Sequence, residues 1–271
     1  MKIALIEAFS TGSHRAWLEG VTKHSCHQVT PFSLPGRFWK WRMHGGAISL
    51  ADQLEQSGLD FDLILCTDMM DLALFKGLLS ARYRDIPTAL YFHENQLTYP
   101  WSPDDADVAE KRDHHYAFIN YSSALVADGV FFNSDFHRQS FLEELPVLLK
   151  QFPDFREERK VLELVKKCQT LTLGTDLSKF LSPLEEKSQV PTILWNHRWE
   201  YDKNPEEFFE LLENLSQKEF KFNLVVLGAR SNEAPACFER ACQTLESHII
   251  HWGSVASPSE YAQWLQRCDI L

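Results

Sequence analysis

The chain has 271 residues, long enough for one large domain or two modest ones, with the hydrophobic (44%) and charged (24%) content of an ordinary soluble globular protein. A net charge of −11 argues against broad electrostatic binding to nucleic acid, and no apolar run approaches the roughly 20 residues of a membrane span. The opening apolar segment meets a carboxylate at Glu7, too soon for a secretory leader, and the six Cys form no CxxC pair, as expected of buried, reduced thiols in a cytoplasmic protein.

Short apolar runs at 3–8, 63–67, 88–92, 129–133, 170–173, 192–196, 223–228 and 249–252 read as strands. They are nearly continuous in apolar residues rather than alternating, as strands of a parallel sheet buried on both faces are. Helical spacing at 206–215 and 257–267 fits between them, so the predicted class is α/β with right-handed strand–helix–strand units. Open sheets of this kind bind ligands beyond the carboxyl ends of their strands, which directs attention to the residues that follow each run.

After the first run, Gly12 allows a close backbone approach and Ser10, Thr11 and Ser13 offer hydroxyls at a helix start; a simple helix cap explains the segment equally well. Further on, Arg37, Lys40 and Arg42 interleave with Phe38, Trp39 and Trp41. Such a patch can stack on bases and contact phosphates, or it can be a solvated loop whose aromatics dock on the core. The run at 88–92 leads into His93, Glu94, Asn95 and Gln96, four polar side chains in succession, suited to a cleft that binds a polyol or assists proton transfer. Residues 131–135 close another strand, and Ser134 or Asp135 serves as a helix N-cap. No metal is expected: His114 and His115 are adjacent, so a helix aims them about 100° apart, and no Asp-x-Asp lies on a suitable loop.

The polar, proline-bearing segment 181–190 reads as a domain boundary, giving a first domain over 1–182 and a second over 190–271. In the second, Arg198 and Lys203 share one short loop between a strand end and a helix start that has Asn204 as N-cap, Pro205 in the first turn and Glu206 and Glu207 behind it. Two cations there make a diphosphate clamp, or ion pairs with Glu200 and Asp202. Gly228 and Gly253 follow later strands, where a backbone can approach a nucleotide. The final residues, Cys268 to Leu271, read as the start of a further strand, so the second domain is expected to be incomplete.

The spacing of Arg198 and Lys203 resembles the Gly-Arg-(four residues)-Lys-Gly element of retaining GT-B glycosyltransferases, with His197 and Asn204 in the two glycine places. More specifically, Glu7-Ala-Phe with Ser13-His14, the run from Tyr91 to Pro100, Val126-Ala-Asp, Phe132-Asn-Ser and the run from His197 to Glu206 resemble the tRNA-queuosine alpha-mannosyltransferase family. The resemblance implies GT-B architecture: two Rossmann-like domains with parallel sheets, an N-terminal acceptor domain and a partial C-terminal nucleotide-sugar domain. It implies transfer of mannose from GDP-mannose to queuosine in tRNA with retention, without a cofactor, a metal or a membrane. His93, Arg198 and Lys203 would act in catalysis. His197, Arg198, Glu200, Lys203 and Gly228 would bind the donor, and Gly12, Ser13, His14, Glu94, Asn95 and Gln96 the acceptor. A paired-glutamate segment that contacts the donor sugar in the wider fold class would lie beyond Leu271. Two other readings remain: the same fold with a lipid or small-glycoside acceptor, and a non-catalytic tRNA- or nucleotide-binding remnant.

Overall fold

The structure is a computed structural model that describes residues 1–102, 105–109, 114–180, 187–230 and 234–271. The chain divides into two compact units, Met1–Leu173 and Gly174–Leu271. The first six residues of the segment expected to separate the domains, 181–186, lie outside the described residues.

The first unit runs β1 (Lys2–Ser10), α1 (Gly12–His24), β2 (Gln28–Pro35), α2 (Trp39–Ser57), β3 (Leu63–Thr67), α3 (Leu72–Leu78), α4 (Ala81–Arg84), β4 (Thr88–Phe92), α5 (Ala106–Ala109), α6 (His115–Val126), β5 (Gly129–Phe132), α7 (Asp135–Lys150), α8 (Glu158–Lys167) and β6 (Cys168–Thr170). Its sheet has the order β2-β1-β3-β4-β5-β6, with every pairing parallel. All five residues of β4 are buried, as a central strand covered on both faces requires. Phe92 and Phe132 stack at 4.8 Å across β4 and β5 with Phe141 of α7 against both, and all three are fully buried. Truncating any one to Ala would cost about 3–5 kcal/mol.

β2 was not evident in the sequence. It carries Pro31 and Pro35 and alternates in burial, and it lies at the sheet edge, where proline is tolerated. β6 also differs from expectation. It spans Cys168–Thr170, two residues earlier than the apolar run, and Leu171 and Leu173 are exposed.

The second unit contains β7 (Thr192–Asn196), α9 (Pro205–Gln217), β8 (Asn223–Leu227), α10 (Cys237–Thr244), β9 (Ile249–Trp252) and α11 (Pro258–Arg267). Its sheet is parallel in the order β7-β8-β9, and Ile270 forms an isolated parallel bridge with Ile193. An aromatic core of Trp195, Trp199, Phe209 and Phe238, with Trp252 packed on it, fills one face. All six cysteines are free thiols; Cys66, Cys168, Cys237 and Cys268 are buried.

Candidate active site

In the first sheet β2 and β3 lie on opposite sides of β1, so the connections diverge there and open a crevice beyond the carboxyl ends of β1 and β3. Four ionisable side chains meet at that place: Glu7 of β1, His14 in the first turn of α1, Asp68 just after β3 and His93 just after β4. Glu7 is fully buried, a costly position for a carboxylate unless its oxygens are satisfied. One oxygen accepts the Phe9 N–H at 2.8 Å and the other accepts from His14 Nδ1 at 3.3 Å. Burial alone would lower the basicity of His14, but its bond to Glu7 and the charges of Glu7 and Glu94 outweigh that and raise it above the usual histidine value.

His93 has the opposite character. Burial, reinforced by the nearby His14 and His137, lowers it to about 3, so the ring is neutral at physiological pH. Its Nε2 lies 3.9 Å from a Glu7 oxygen and has no hydrogen-bond partner among the described residues. Trp17, stacked on Tyr91 at 4.9 Å, presents its edge to the His93 ring at 4.7 Å. The backbone of His93 is held on both sides: its N–H donates to Asp68 Oδ1 at 2.8 Å, and its carbonyl accepts from Asn133 Nδ2 at 2.8 Å. Asn133 Oδ1 in turn takes the Nδ1 proton of His137, so the amide orients two histidines at once.

Asp68 is fully buried, and its second oxygen has no partner among the described residues. Burial pushes it up to about 8, with His14 opposing and Glu94 and Glu7 adding to the shift. A carboxyl held neutral in the fold but ionised in the unfolded chain makes the protein less stable as pH rises from the unfolded value of 3.8 towards 8. Asp68→Asn keeps an acceptor for the His93 N–H and removes this penalty. The expected result is a melting-temperature gain over wild type that grows between pH 5 and pH 8; a difference that stays constant with pH would show that Asp68 is ionised in the fold.

Other expected site residues fall into two groups. Gly12 has φ +49° and no heavy atom within 4 Å of where a Cβ would stand, and both it and Ser13 are exposed at the start of α1. The residue before them, Thr11, is the extended N-cap of α1 and makes no side-chain cap bond. Glu94 is half-buried and accepts from Gln96 Nε2 at 3.0 Å. Asn95 is buried, with Oδ1 accepting the N–H groups of Leu97 and Thr98 and Nδ2 donating to Thr98 Oγ1; it builds the turn. Gln96 is buried too, its backbone N–H held by Asn120 Oδ1 at 2.7 Å. In the basic patch, Lys40 is ion-paired with both Asp105 and Asp107, and Arg42 donates to the Pro35 carbonyl.

Glu7 and Asp68 were not picked out from the sequence as site residues. The signal for Glu7 was a lone acid inside an apolar strand, and for Asp68 a polar residue directly after one.

In the second unit the loop after β7 carries Arg198, which pairs with Glu200 at 3.0 Å, and Lys203, which pairs with Asp202 at 2.8 Å. Asn204 precedes Pro205 as expected but caps α9 with no side-chain bond: it is left-handed at φ 53°, and its amide donates to Glu207. Gly228, with φ +113°, meets the loop closely. A Cβ there would stand 2.1 Å from the carbonyl oxygen of His197, which also accepts from Trp195 Nε1. Gly228 is therefore required for the loops after β7 and β8 to touch.

Among the described residues, Glu7, His14 and His93 form a trio whose ligand atoms lie within 4.8 Å of one another, a spacing that could hold a cation. An ion there would have to displace the His14–Glu7 hydrogen bond. No described helix is long and apolar enough to cross a membrane.

A family model for the N-terminal region of tRNA-queuosine alpha-mannosyltransferase matches residues 2–175. The Drosophila melanogaster tRNA-queuosine alpha-mannosyltransferase is 32% identical over 286 residues, covering 99% of this chain and 72% of the fly protein. Among solved structures, an E. coli trehalose-6-phosphate structure bound with UDP-2-fluoro glucose superposes with a TM-score of 0.61 at 13% identity, over 99% of this chain and 77% of that one. A lipopolysaccharide outer core galactosyltransferase gives a TM-score of 0.56 at 11% identity, over 99% and 72%. The likeness to these structures is one of fold, and the fold is GT-B. The chain is a glycosyltransferase, and it belongs to the tRNA-queuosine alpha-mannosyltransferase family.

Proposed function

We propose that this chain transfers mannose from GDP-mannose to queuosine in the anticodon of a tRNA, with retention of anomeric configuration and without a divalent metal. The observation that carries the reading is the buried cluster at the β1–β3 switch point, where His93, its basicity lowered by burial, lies beside the Glu7–His14 pair and the fully buried Asp68. The name shared by the matching family supports mannose as the sugar and queuosine in tRNA as the acceptor, and GDP-mannose is the donor this reading takes.

The first unit supplies the acceptor side, with the exposed Gly12 and Ser13 and the half-buried Glu94 around the cluster. The unpartnered Nε2 of His93 can take a hydrogen bond from a sugar hydroxyl. The second unit supplies the donor side, with Arg198 and Lys203 neutralising the diphosphate. As the bond from the anomeric carbon to the phosphate oxygen breaks, the acceptor oxygen attacks the same face and its proton passes to the departing phosphate. Charge grows on the diphosphate during this step, so the two cations stabilise the transition state more than the ground state.

The test is to incubate the chain with GDP-mannose and queuosine-containing tRNA, then to weigh the released nucleosides. Queuosine heavier by one hexose is the expected product. Unmodified queuosine with GDP-mannose and with every other nucleotide hexose would overturn the reading.

A further inference from the structure

A second cluster of side chains stands at the same edge of the first sheet, and its composition differs from that of the His93 site. Trp39 at the start of α2, Trp101 in the loop after β4 and Tyr116 in the first turn of α6 are all half-buried and touch one another. The ring centroids are 5.0 Å apart for Trp39 and Tyr116 and 6.3 Å apart for Trp101 with each of the others. Trp39 and Tyr116 pack on a small buried core of Met43, Met69 and Ile119. Phe9 packs on that same core and meets His14 edge-on at 5.9 Å, so the aromatic surface is continuous with the His93 site.

Lys40 fixes the arrangement. Its ammonium group lies 5.7 Å from the Trp39 ring centre and 5.5 Å from that of Trp101, and it is held by the carboxylates of Asp105 and Asp107. With its ammonium group held by two carboxylates, Lys40 is not free to meet a phosphate. What the cluster offers a ligand is rigid ring surface, and Trp and Tyr supply such surface at low entropic cost. Stacking on aromatic rings suits nucleobases that are unpaired and splayed, the form in which single-stranded RNA is read.

We propose that the Trp39–Trp101–Tyr116 face is a stacking platform for unpaired nucleobases of the RNA acceptor, beside the base that receives the sugar. This rests on the RNA acceptor assigned above and adds where its neighbouring bases lie. Phosphates of the same RNA are met elsewhere, because Lys40 is held by its own carboxylates.

The experiment measures binding of an anticodon stem-loop RNA carrying queuosine to the full chain and to Trp101→Leu and Trp101→Phe, across a salt titration. Leu preserves apolar volume without a π face, and Phe preserves the face. Alanine scans put base stacking at about 1–3 kcal/mol per base, or roughly 5- to 150-fold in affinity. The expected result is at least about tenfold weaker binding by Trp101→Leu, near-wild-type binding by Trp101→Phe, and an unchanged salt slope for both, since no phosphate contact is lost. Equal affinity of Trp101→Leu and wild type would overturn the platform while leaving the RNA acceptor standing. A flattened salt slope would overturn it by showing a phosphate contact, and failure of wild type to bind the stem-loop would overturn both.

Discussion

Arg198→Ala is expected to weaken GDP binding by roughly 10- to 100-fold, the effect of losing a charge-assisted hydrogen bond worth about 1.5–3 kcal/mol. The size follows from what surrounds the loop. α9 begins next to it, but Glu206 and Glu207 occupy its first turn, so the positive end of the helix is already matched by carboxylates. On the proposed donor role of this loop, the diphosphate would then be met by Arg198 and Lys203. The Arg198 side chain is 62% exposed, and its pair with Glu200 is of the surface kind, worth up to about 1 kcal/mol. Its removal should therefore leave the melting temperature of the protein almost unchanged. Titration calorimetry with GDP measures the effect; the same dissociation constant for variant and wild type would remove Arg198 from the donor site.

The largest expected loss of stability comes from Gly228→Ala. A Cβ at this position would approach the His197 carbonyl oxygen to 2.1 Å, and backbone atoms of a neighbouring loop cannot swing aside as the end of a flexible side chain can. The φ of +113° adds conformational strain of order 1–3 kcal/mol for any residue with a side chain. Together these should destabilise the second unit by about 3 kcal/mol or more. Gly12→Ala is the control: φ is +49° there as well, but no heavy atom lies within 4 Å of the added carbon. Denaturant melts should show a much larger shift for Gly228→Ala than for Gly12→Ala, and equal shifts would mean that the two loops readily move apart.

Most of the fold was legible because parallel strands buried on both faces are apolar along their whole length. β3, β4, β7 and β9 have the limits expected from their apolar runs. β2 escaped because an edge strand has one sheet neighbour and tolerates both prolines and alternation. In the site, His93 was marked by polar residues clustered after a strand and His14 only by the family resemblance, whereas Glu7 was masked by the apolar residues on either side of it and Asp68 by the two methionines that follow it.

The same signal also included too much. A polar residue after a strand can line a cleft or build its turn, and only the hydrogen bonds of Asn95 to Leu97 and Thr98 distinguish the two. Lys40 shows the limit most directly. A cation among aromatics invites a phosphate, but its actual partners, Asp105 and Asp107, are 65 and 67 residues further along the chain.

The two-sided anchoring of the His93 backbone, by Asp68 at its N–H and Asn133 at its carbonyl, bears on how a substrate is received. A ring tethered in this way has lost its main-chain freedom when the protein folds, so an arriving hydroxyl finds its acceptor already in place. On the acceptor role proposed for His93, recognition at this point would be closer to lock-and-key than induced, because the backbone that carries the ring need not move to meet the hydroxyl.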